Sequence, residues 1–408
     1  MIIPTDLLKN KKILLGVSGS IALYKSLELA RLFVKAGAEV KVVMSEASKK
    51  FVTPLTFETL TTNAVLDDVS ESWSSDHNHI KSGENADIFV IAPATANTMA
   101  KLANGIADNM LTQCALAYAK EKILAPSANT NMLHNAITRE NMRRLQSANY
   151  TILQTQTKEL ACKTTGDGAM AEPLHIFWAT AKALLKDEFW QNRSVVVTGG
   201  GTIEKIDDVR YVSNFSSGKM ASALASALYC RGANVTLVAS RVESEIPQDV
   251  RLLQVQSSEQ MYASLSETLS KVKESAEKKP YLFMAAAVSD YVPELQSGKL
   301  KKERLGERFS LELKQNRDIL SSLDKTNITT IGFKAEMDAR NATRNATKTL
   351  ESKNLDAVCL NLLKDSTSFG TDTNAIEFIT QEKTTSLASD TKLKIAFEIA
   401  NLAKSLKE

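Results

Sequence analysis

Two stretches of this chain place small and hydroxyl-bearing residues where a strand feeds a helix. Gly16-Val17-Ser18-Gly19-Ser20 follows a short apolar run. Backbone N–H groups and the helix dipole at such a turn favour an anion, and Ser18 and Ser20 could add hydroxyl donors. A Gly/Ser turn of this kind is about as often structural, and the full GxGxxG spacing of a dinucleotide fingerprint is absent. Far downstream, Ser216-Ser217-Gly218-Lys219 offers two hydroxyls, a glycine and an amine at a helix start, a phosphate cradle without the GxxxxGK[ST] pattern. Lys299, Lys301 and Lys302 form a basic cluster in a Gly-containing loop, although charge runs are usually solvated. Acid–base candidates are few. The chain has four histidines, of which His77 and His79 share a polar loop, and four cysteines. Cys162, flanked by Lys158 and Lys163, fits a reactive thiol. Cys114, in the apolar run Leu111–Ala119, fits a core position. With no CxxC pair the metal ligands stay unassigned.

The elements that would position these groups begin twice. Lys12–Gly16 is a strand ending at the first Gly/Ser turn, a helix follows over Ile21–Lys35, Gly37 stops it, and Glu39–Met44 resumes as a strand. Ser194–Thr198 likewise ends at Gly199-Gly200-Gly201, a helix follows over Lys219–Tyr229, Gly232 stops it, and Asn234–Ala239 is the next strand. Strand, Gly-rich turn, helix and strand form a βαβ unit with parallel strands. Further buried strands are expected at Ile88–Ala92 and Ile123–Ala125, then at Tyr281–Ala285, Thr329–Phe333, Asp356–Leu360 and Ile376–Ile379. The expected fold class is α/β: two doubly wound Rossmann-like domains with mainly parallel sheets. The division falls into residues 1–190 and 191–408, with Lys186–Arg193 as a polar link.

Composition narrows the function. At 408 residues the chain exceeds one ordinary core, and 43% apolar with 24% charged residues is globular usage. A net charge of +3 gives no reason to expect nucleic acid. No apolar run approaches the ~18–20 residues that span a bilayer, and the first residues lack a signal-peptide pattern. The scattered cysteines suit a reducing, cytoplasmic setting.

At the next motifs a family becomes visible. GVSGSIALYK, the His79-Ile80 pair, APATANT, GIADNML, PSANTNM and the late Cys162 occur in order between Lys11 and Pro173. This half resembles the homo-oligomeric flavin-containing cysteine decarboxylases that act on phosphopantothenoylcysteine. The resemblance implies FMN, with His79 as base, Asn129 on the substrate carboxylate, and Cys162 as proton donor during reduction of the enethiolate. It also implies Ser18, Gly19, Ser45, Thr95 and Asn97 as flavin contacts. One departure stands out: where the family has Gly-Asp after the cysteine and Arg before the methionine, this chain has Lys163-Thr164 and Ala169.

The second half resembles the phosphopantothenate–cysteine ligases, from TGGGTIEKIDDVRYVSNFSSGKM through AAAVSDY, GKLKK, NRDIL, GFKAE and KNLDAVCLN. The resemblance implies carboxylate activation by CTP with Mg2+ to an acyl-cytidylate, then attack by the cysteine amine. Lys299 would act on the nucleotide phosphates, and Arg210 and Asn214 on the acyl intermediate. Met284, Ala285, Ala286, Asp290, Arg317, Asp318, Ile319, Leu320, Phe333, Lys348 and Lys353 would bind the nucleotide. Trimers of the first half and dimers of the second imply a homo-oligomer, a dodecamer. The partners are small molecules, namely 4'-phosphopantothenate, cysteine and CTP, with no nucleic acid and no membrane. Two rivals are a nicotinamide-dependent reductase using Gly199–Gly201 and a non-catalytic flavin-binding regulator. The first has no use for Cys162 or GKLKK, and the second would be favoured only if His79 or Cys162 were missing.

Overall fold

The computed structural model describes residues 1–159, 163, 165–301, 307–363, 365 and 370–406. It divides into two compact units, Thr5–Leu185 and Lys186–Glu408 joined by Met1–Pro4.

The first unit is built on a parallel sheet of five strands: β1 (Lys12–Val17), β2 (Glu39–Met44), β3 (Ile88–Ala94), β4 (Lys122–Pro126) and β5 (Tyr150–Ile152), ordered β2-β1-β3-β4-β5. The apolar runs read in the sequence are these strands, because a parallel strand covered on both faces must be apolar throughout. All seven residues of β3 are buried. Helix α1 (Tyr24–Lys35) buries Lys25, Ser26, Leu29, Ala30 and Phe33, one face at helical spacing. It ends where Gly37 takes φ 89°, a left-handed position in which a Cβ would lie 2.5 Å from the Thr5 carbonyl oxygen. The remaining helices are α2 (Pro54–Thr61), α3 (His79–Glu84), α4 (Ala96–Ala103), α5 (Met110–Ala117), α6 (Thr130–His134), α7 (Ala136–Ser147) and α8 (Pro173–Leu185). An antiparallel hairpin of β6 (Gln156–Glu159) and β7 (Thr165–Ala169) stands outside the main sheet. Its connecting loop carries Cys162, which lies outside the described residues.

The second unit holds an eight-stranded sheet. Its strands are β8 (Ser194–Gly199), β11 (Asn234–Ala239), β12 (Arg251–Gln254), β13 (Tyr281–Met284), β16 (Thr329–Glu336), β17 (Ala357–Leu362), β18 (Thr373–Ile379) and β19 (Thr384–Thr391). The order is β12-β11-β8-β13-β16-β17-β18-β19, with β18 running antiparallel to both its neighbours. Small ladders β9 (Ile203–Lys205) with β10 (Tyr211–Ser213) and β14 (Tyr291–Pro293) with β15 (Leu313–Gln315) lie beyond the strand ends. Helices α9 (Lys219–Cys230), α10 (Ser258–Ser275), α11 (Ile319–Ser322), α12 (Ala342–Ser352) and α13 (Lys392–Ala403) complete it. Every residue of α9 from Ala221 to Cys230 is buried, because the helix is covered by the sheet on one side and by α13 on the other.

Lys186–Arg193 is not a free polar link. Trp190 is fully buried, its ring 4.9 Å from that of Tyr281, and its indole N–H donates to the Ala400 carbonyl at 3.2 Å. Arg193 stacks 4.0 Å over Phe189. Two aromatics among the charges outweigh the polar composition, since each buried ring is worth on the order of 2–3 kcal/mol.

Candidate active sites

In the first unit the strand ends β1, β2, β3 and β4 bring four loops to one carboxyl edge, where ligands of parallel sheets bind. The loops are laced together. Ser18 donates its hydroxyl to the Pro93 carbonyl at 2.7 Å and accepts from the Thr95 N–H at 3.1 Å. Its own N–H also points at Pro93 O. Ser18 is therefore a fastener between loops, with both donors used, and the hydroxyl expected to face a phosphate faces the protein. Ser20 pairs with Ser127 at 2.9 Å and caps the short turn Ile21–Leu23. At Gly19 a Cβ would lie 2.6 Å from that of Ala47, so only glycine lets the first and second loops meet.

Three features of this edge fit a polar ligand such as a flavin with its phosphate. The Ser45 hydroxyl is buried and meets no partner among the described residues. The Asn97 side chain is exposed in the first turn of α4. Thr95 caps that helix by accepting from the Thr98 N–H at 3.2 Å, which fixes the helix end toward the edge. An orphaned buried hydroxyl is costly unless something outside the chain pairs with it.

His79 opens α3, whose cap Asn78 accepts from the N–H groups of Ile80 and Lys81. Its Nδ1 lies 2.7 Å from Oε1 of Glu71, and its ring stands edge-on to Trp73 with centroids 5.5 Å apart. Among the described residues its hydrogen bonds go to Glu71, and none joins it to the Ser18–Thr95 edge. Glu71 was not singled out in the sequence, because nothing eight positions upstream in a polar loop marks it. His77 instead reaches Ser70 at 3.3 Å.

Asn129 caps α6 by accepting from the Asn131 N–H at 2.9 Å. Beside it, the Ala128 N–H donates to the Gly168 carbonyl at 3.1 Å, so β7 lies directly against the Asn129 loop. A Cβ at Gly168 would come within 1.8 Å of the Ala128 oxygen. The adjoining contact is charged: His134 Nε2 lies 2.5 Å from Asp167, whose carboxyl is held below its usual value by this bond. Cys114 is buried in the core, where desolvation pushes its thiol up to about 12.

In the second unit the strand order reverses between the parallel neighbours β8 and β13, the switch point of an open α/β sheet. The segments beyond these strands are joined by Ala287 N–H to Gly200 O at 2.9 Å and by Ala286 N–H to Thr198 Oγ1 at 3.1 Å. A cavity of about 210 Å3 opens there, lined by Ser216, Ser217, Ala285, Ala286 and Phe333 among others. Lys219 lines the same cavity and has its amine engaged within the protein. The amine pairs with Asp372 at 2.9 Å and donates to the Gly370 carbonyl at 2.7 Å.

Arg210 and the Lys299 loop are brought together by Asp207, which is wholly buried. Burial alone would raise this carboxyl, but N–H groups of Val209, Leu300 and Arg210 and the Arg210 guanidinium outweigh it and hold it down at about 2. Lys299 itself is exposed. Asn214 is exposed and donates to the Ala287 carbonyl at 3.3 Å.

The other nucleotide candidates are spread over several elements, and two of them pair. Asp318 caps α11 by accepting from the Ser321 N–H at 3.1 Å and pairs with Lys353 at 3.0 Å. Arg317 lies 4.3 Å over the Tyr262 ring. Ile319 and Leu320 are buried, so only their backbone can face a ligand. Met284 is also buried, whereas Asp290 and Lys348 are exposed. Among the described residues no group of three or more His, Cys, Asp or Glu side chains is placed to hold a metal ion.

Comparison with known proteins covers both units. A family model described as Flavoprotein matches residues 1–185. A second, described as DNA/pantothenate metabolism flavoprotein C-terminal domain, matches residues 190–406. The chain is 38% identical over 400 residues to the coenzyme A biosynthesis bifunctional protein CoaBC of Haemophilus influenzae, covering 97% of each chain. It is 36% identical over 402 residues to the protein of that name from Bacillus subtilis, covering 96% of each. Among solved structures, the FMN binding protein AtHal3 is 34% identical over 42% of this chain and 95% of that one, with a TM-score of 0.38.

Proposed function

The chain belongs to the family of bifunctional coenzyme A biosynthesis proteins, enzymes with a ligase and a decarboxylase in one polypeptide, and from that premise we propose which residues perform each step. The observation that carries the division of labour is that each unit has its own site. The first unit holds the His79–Glu71 pair and the edge with the orphaned Ser45 hydroxyl, and the second gathers Arg210, Asp207 and the Lys299 loop.

In the second unit, the carboxylate of 4'-phosphopantothenate attacks the α-phosphate of CTP and pyrophosphate leaves. The cysteine amine then attacks the acyl-cytidylate, forming the amide and releasing CMP. Lys299 neutralises charge on the triphosphate, while Arg210 and Asn214 hold the acyl phosphate, since such transfers depend on positioned charge. Met284–Ala286, Asp290, Arg317–Leu320, Phe333, Lys348 and Lys353 surround the nucleotide, with Ile319 and Leu320 contributing backbone only. Magnesium would arrive with the triphosphate and offset part of its charge.

In the first unit, Ser45, Thr95, Asn97 and the glycine-lined loop at Gly19 hold FMN, with Ser18 fastening the loops behind it. FMN held there would supply the two-electron acceptor for oxidising the cysteinyl thiol to a thioaldehyde, whose thiocarbonyl takes the electrons left by departing CO2, and would return the hydride afterwards. Asn129 holds that carboxylate. Glu71 accepts from Nδ1–H of His79, which leaves Nε2 with the lone pair that takes the substrate's proton. Cys162 supplies a proton during the final reduction. With the family's trimers of the first half and dimers of the second, the enzyme is a homo-oligomer, a dodecamer in this reading. The setting is the cytoplasm.

The test is a reaction of the full chain with 4'-phosphopantothenate, cysteine, CTP and Mg2+, its products identified by mass spectrometry. Phosphopantetheine that disappears when CTP is withheld supports the reading. Equal amide formation with ATP in place of CTP would overturn the nucleotide assignment.

A further inference from the structure

Asp207 lies at the junction of two loops that each deliver a group to the ligation site. On one side its carboxylate accepts from the N–H groups of Val209 at 2.8 Å and Arg210 at 2.7 Å. On the other it accepts from the Leu300 N–H at 3.1 Å, next to Lys299. The Arg210 guanidinium closes the arrangement, Nε reaching Asp207 at 3.1 Å and Nη2 reaching both Asp207 at 2.9 Å and the Leu300 carbonyl at 2.5 Å. Two backbone bonds extend the seam, from Asp208 N–H to Gly298 O and from Gln296 N–H to Ile206 O. Nη1 makes no hydrogen bond among the described residues, and the side chain is 41% exposed.

We propose that Asp207 is a positioning residue of the ligase, binding Arg210 and the Lys299 loop into one rigid unit whose Nη1 edge and lysine face the activated carboxylate. The inference rests on the reading that Arg210 and Lys299 serve ligation. A buried carboxylate that only stabilised the turn would be satisfied by the turn's own N–H groups. Here one oxygen serves the Val209 and Arg210 N–H groups, and the other serves Leu300 and the guanidinium. The fork of the guanidinium is thereby set by two partners on different loops, which a lysine in its place could not reproduce. Freed from this clamp, the arginine would keep its charge and lose its aim.

The test compares D207N, R210Q and the double variant in the full-length protein, measuring kcat for amide formation from 4'-phosphopantothenate, cysteine and CTP. Decarboxylation of supplied phosphopantothenoylcysteine serves as the reference activity in the same molecules. Each single variant is expected to lose about 100-fold in kcat, the scale of a misplacement near 1 Å. The double variant is expected within about threefold of the worse single one, because both remove the same unit, and decarboxylation stays at the wild-type rate. Wild-type ligation by D207N beside an impaired R210Q overturns the inference and leaves the site reading standing. Unimpaired R210Q sinks the site reading itself. Losses that multiply in the double variant show that Asp207 does not act through Arg210, which also overturns it. If D207N loses the thermal transition of its ligase unit, R210K carries the test, because it keeps the charge and removes the fork that Asp207 aims. An equal kcat loss with melting preserved is expected, and wild-type turnover would contradict the proposal.

Discussion

Glu71 holds His79 by a 2.7 Å contact between Oε1 and Nδ1, and Trp73 stands edge-on against the same imidazole. The carboxylate fixes the ring's tautomer and orientation, and Nε2 is left as the only nitrogen able to take a proton. Glu71→Gln should therefore lower decarboxylation of phosphopantothenoylcysteine by about 10–100-fold, the usual cost of losing an orienting partner. Amide formation in the same protein should be unchanged. An undiminished decarboxylation rate would show that the contact has no part in the chemistry.

Ser45 gives a thermodynamic signature. Its hydroxyl is buried without a partner among the described residues, so the chain alone gains nothing from it. Ser45→Ala should leave the flavin-free protein as stable or up to about 1 kcal/mol more stable, while weakening FMN binding about tenfold for the loss of one hydrogen bond. Calorimetry on the flavin-free form and flavin titration read the two effects separately. A destabilised apoprotein with normal flavin affinity would reverse the assignment.

The hairpin that carries Cys162 is seated by a glycine. At Gly168 a Cβ would stand 1.8 Å from the Ala128 oxygen, a backbone atom that cannot swing aside. Gly168→Ala should destabilise the first unit by about 1–3 kcal/mol and raise KM for phosphopantothenoylcysteine, because the Asn129 loop moves with the strand. Thermal melting and decarboxylation kinetics check both parts. Ligation should be spared.

Asp318 links stability to pH with a definite sign. Burial works to raise this carboxyl, but the Ser321 side chain, Lys353 and the Ser321 N–H together bring it below its ordinary value. A depressed carboxylate contributes stability above its unfolded pKa of about 4 and loses that contribution as pH falls through the folded value. Asp318→Ala should remove a helix cap worth about 1 kcal/mol and raise KM for CTP. The stability gap to wild type should hold from pH 8 to pH 5 and narrow below pH 4. A gap that widened in acid would contradict this role.

Much of the fold was legible because parallel strands are apolar along their whole length, as in Ile88–Ala94 and Tyr281–Met284. Thr384–Thr391 was not, since an edge strand reading TTSLASDT has no apolar run. The Ser/Gly turn at Ser18 was legible as a place but not as a role, because only the structure shows its hydroxyl turned inward to Pro93. The pairing of Lys219 was not legible for a similar reason: its partner Asp372 lies 153 positions away. Glu71 and Asp207 act through pairings that no local pattern marks. The departure at Lys163 acquires a physical meaning, since the residue adopts φ 59°, a left-handed conformation that glycine takes at no cost.

If two separate units of one chain perform ligation and decarboxylation in turn, two substitutions should separate the activities. Full-length H79N and K299Q would each be given 4'-phosphopantothenate, cysteine, CTP and Mg2+, with products followed by mass spectrometry. H79N should accumulate phosphopantothenoylcysteine. K299Q should form little amide yet decarboxylate phosphopantothenoylcysteine supplied to it. Phosphopantetheine formed by H79N at the wild-type rate, or loss of both activities from either substitution in a folded protein, would contradict this division of labour.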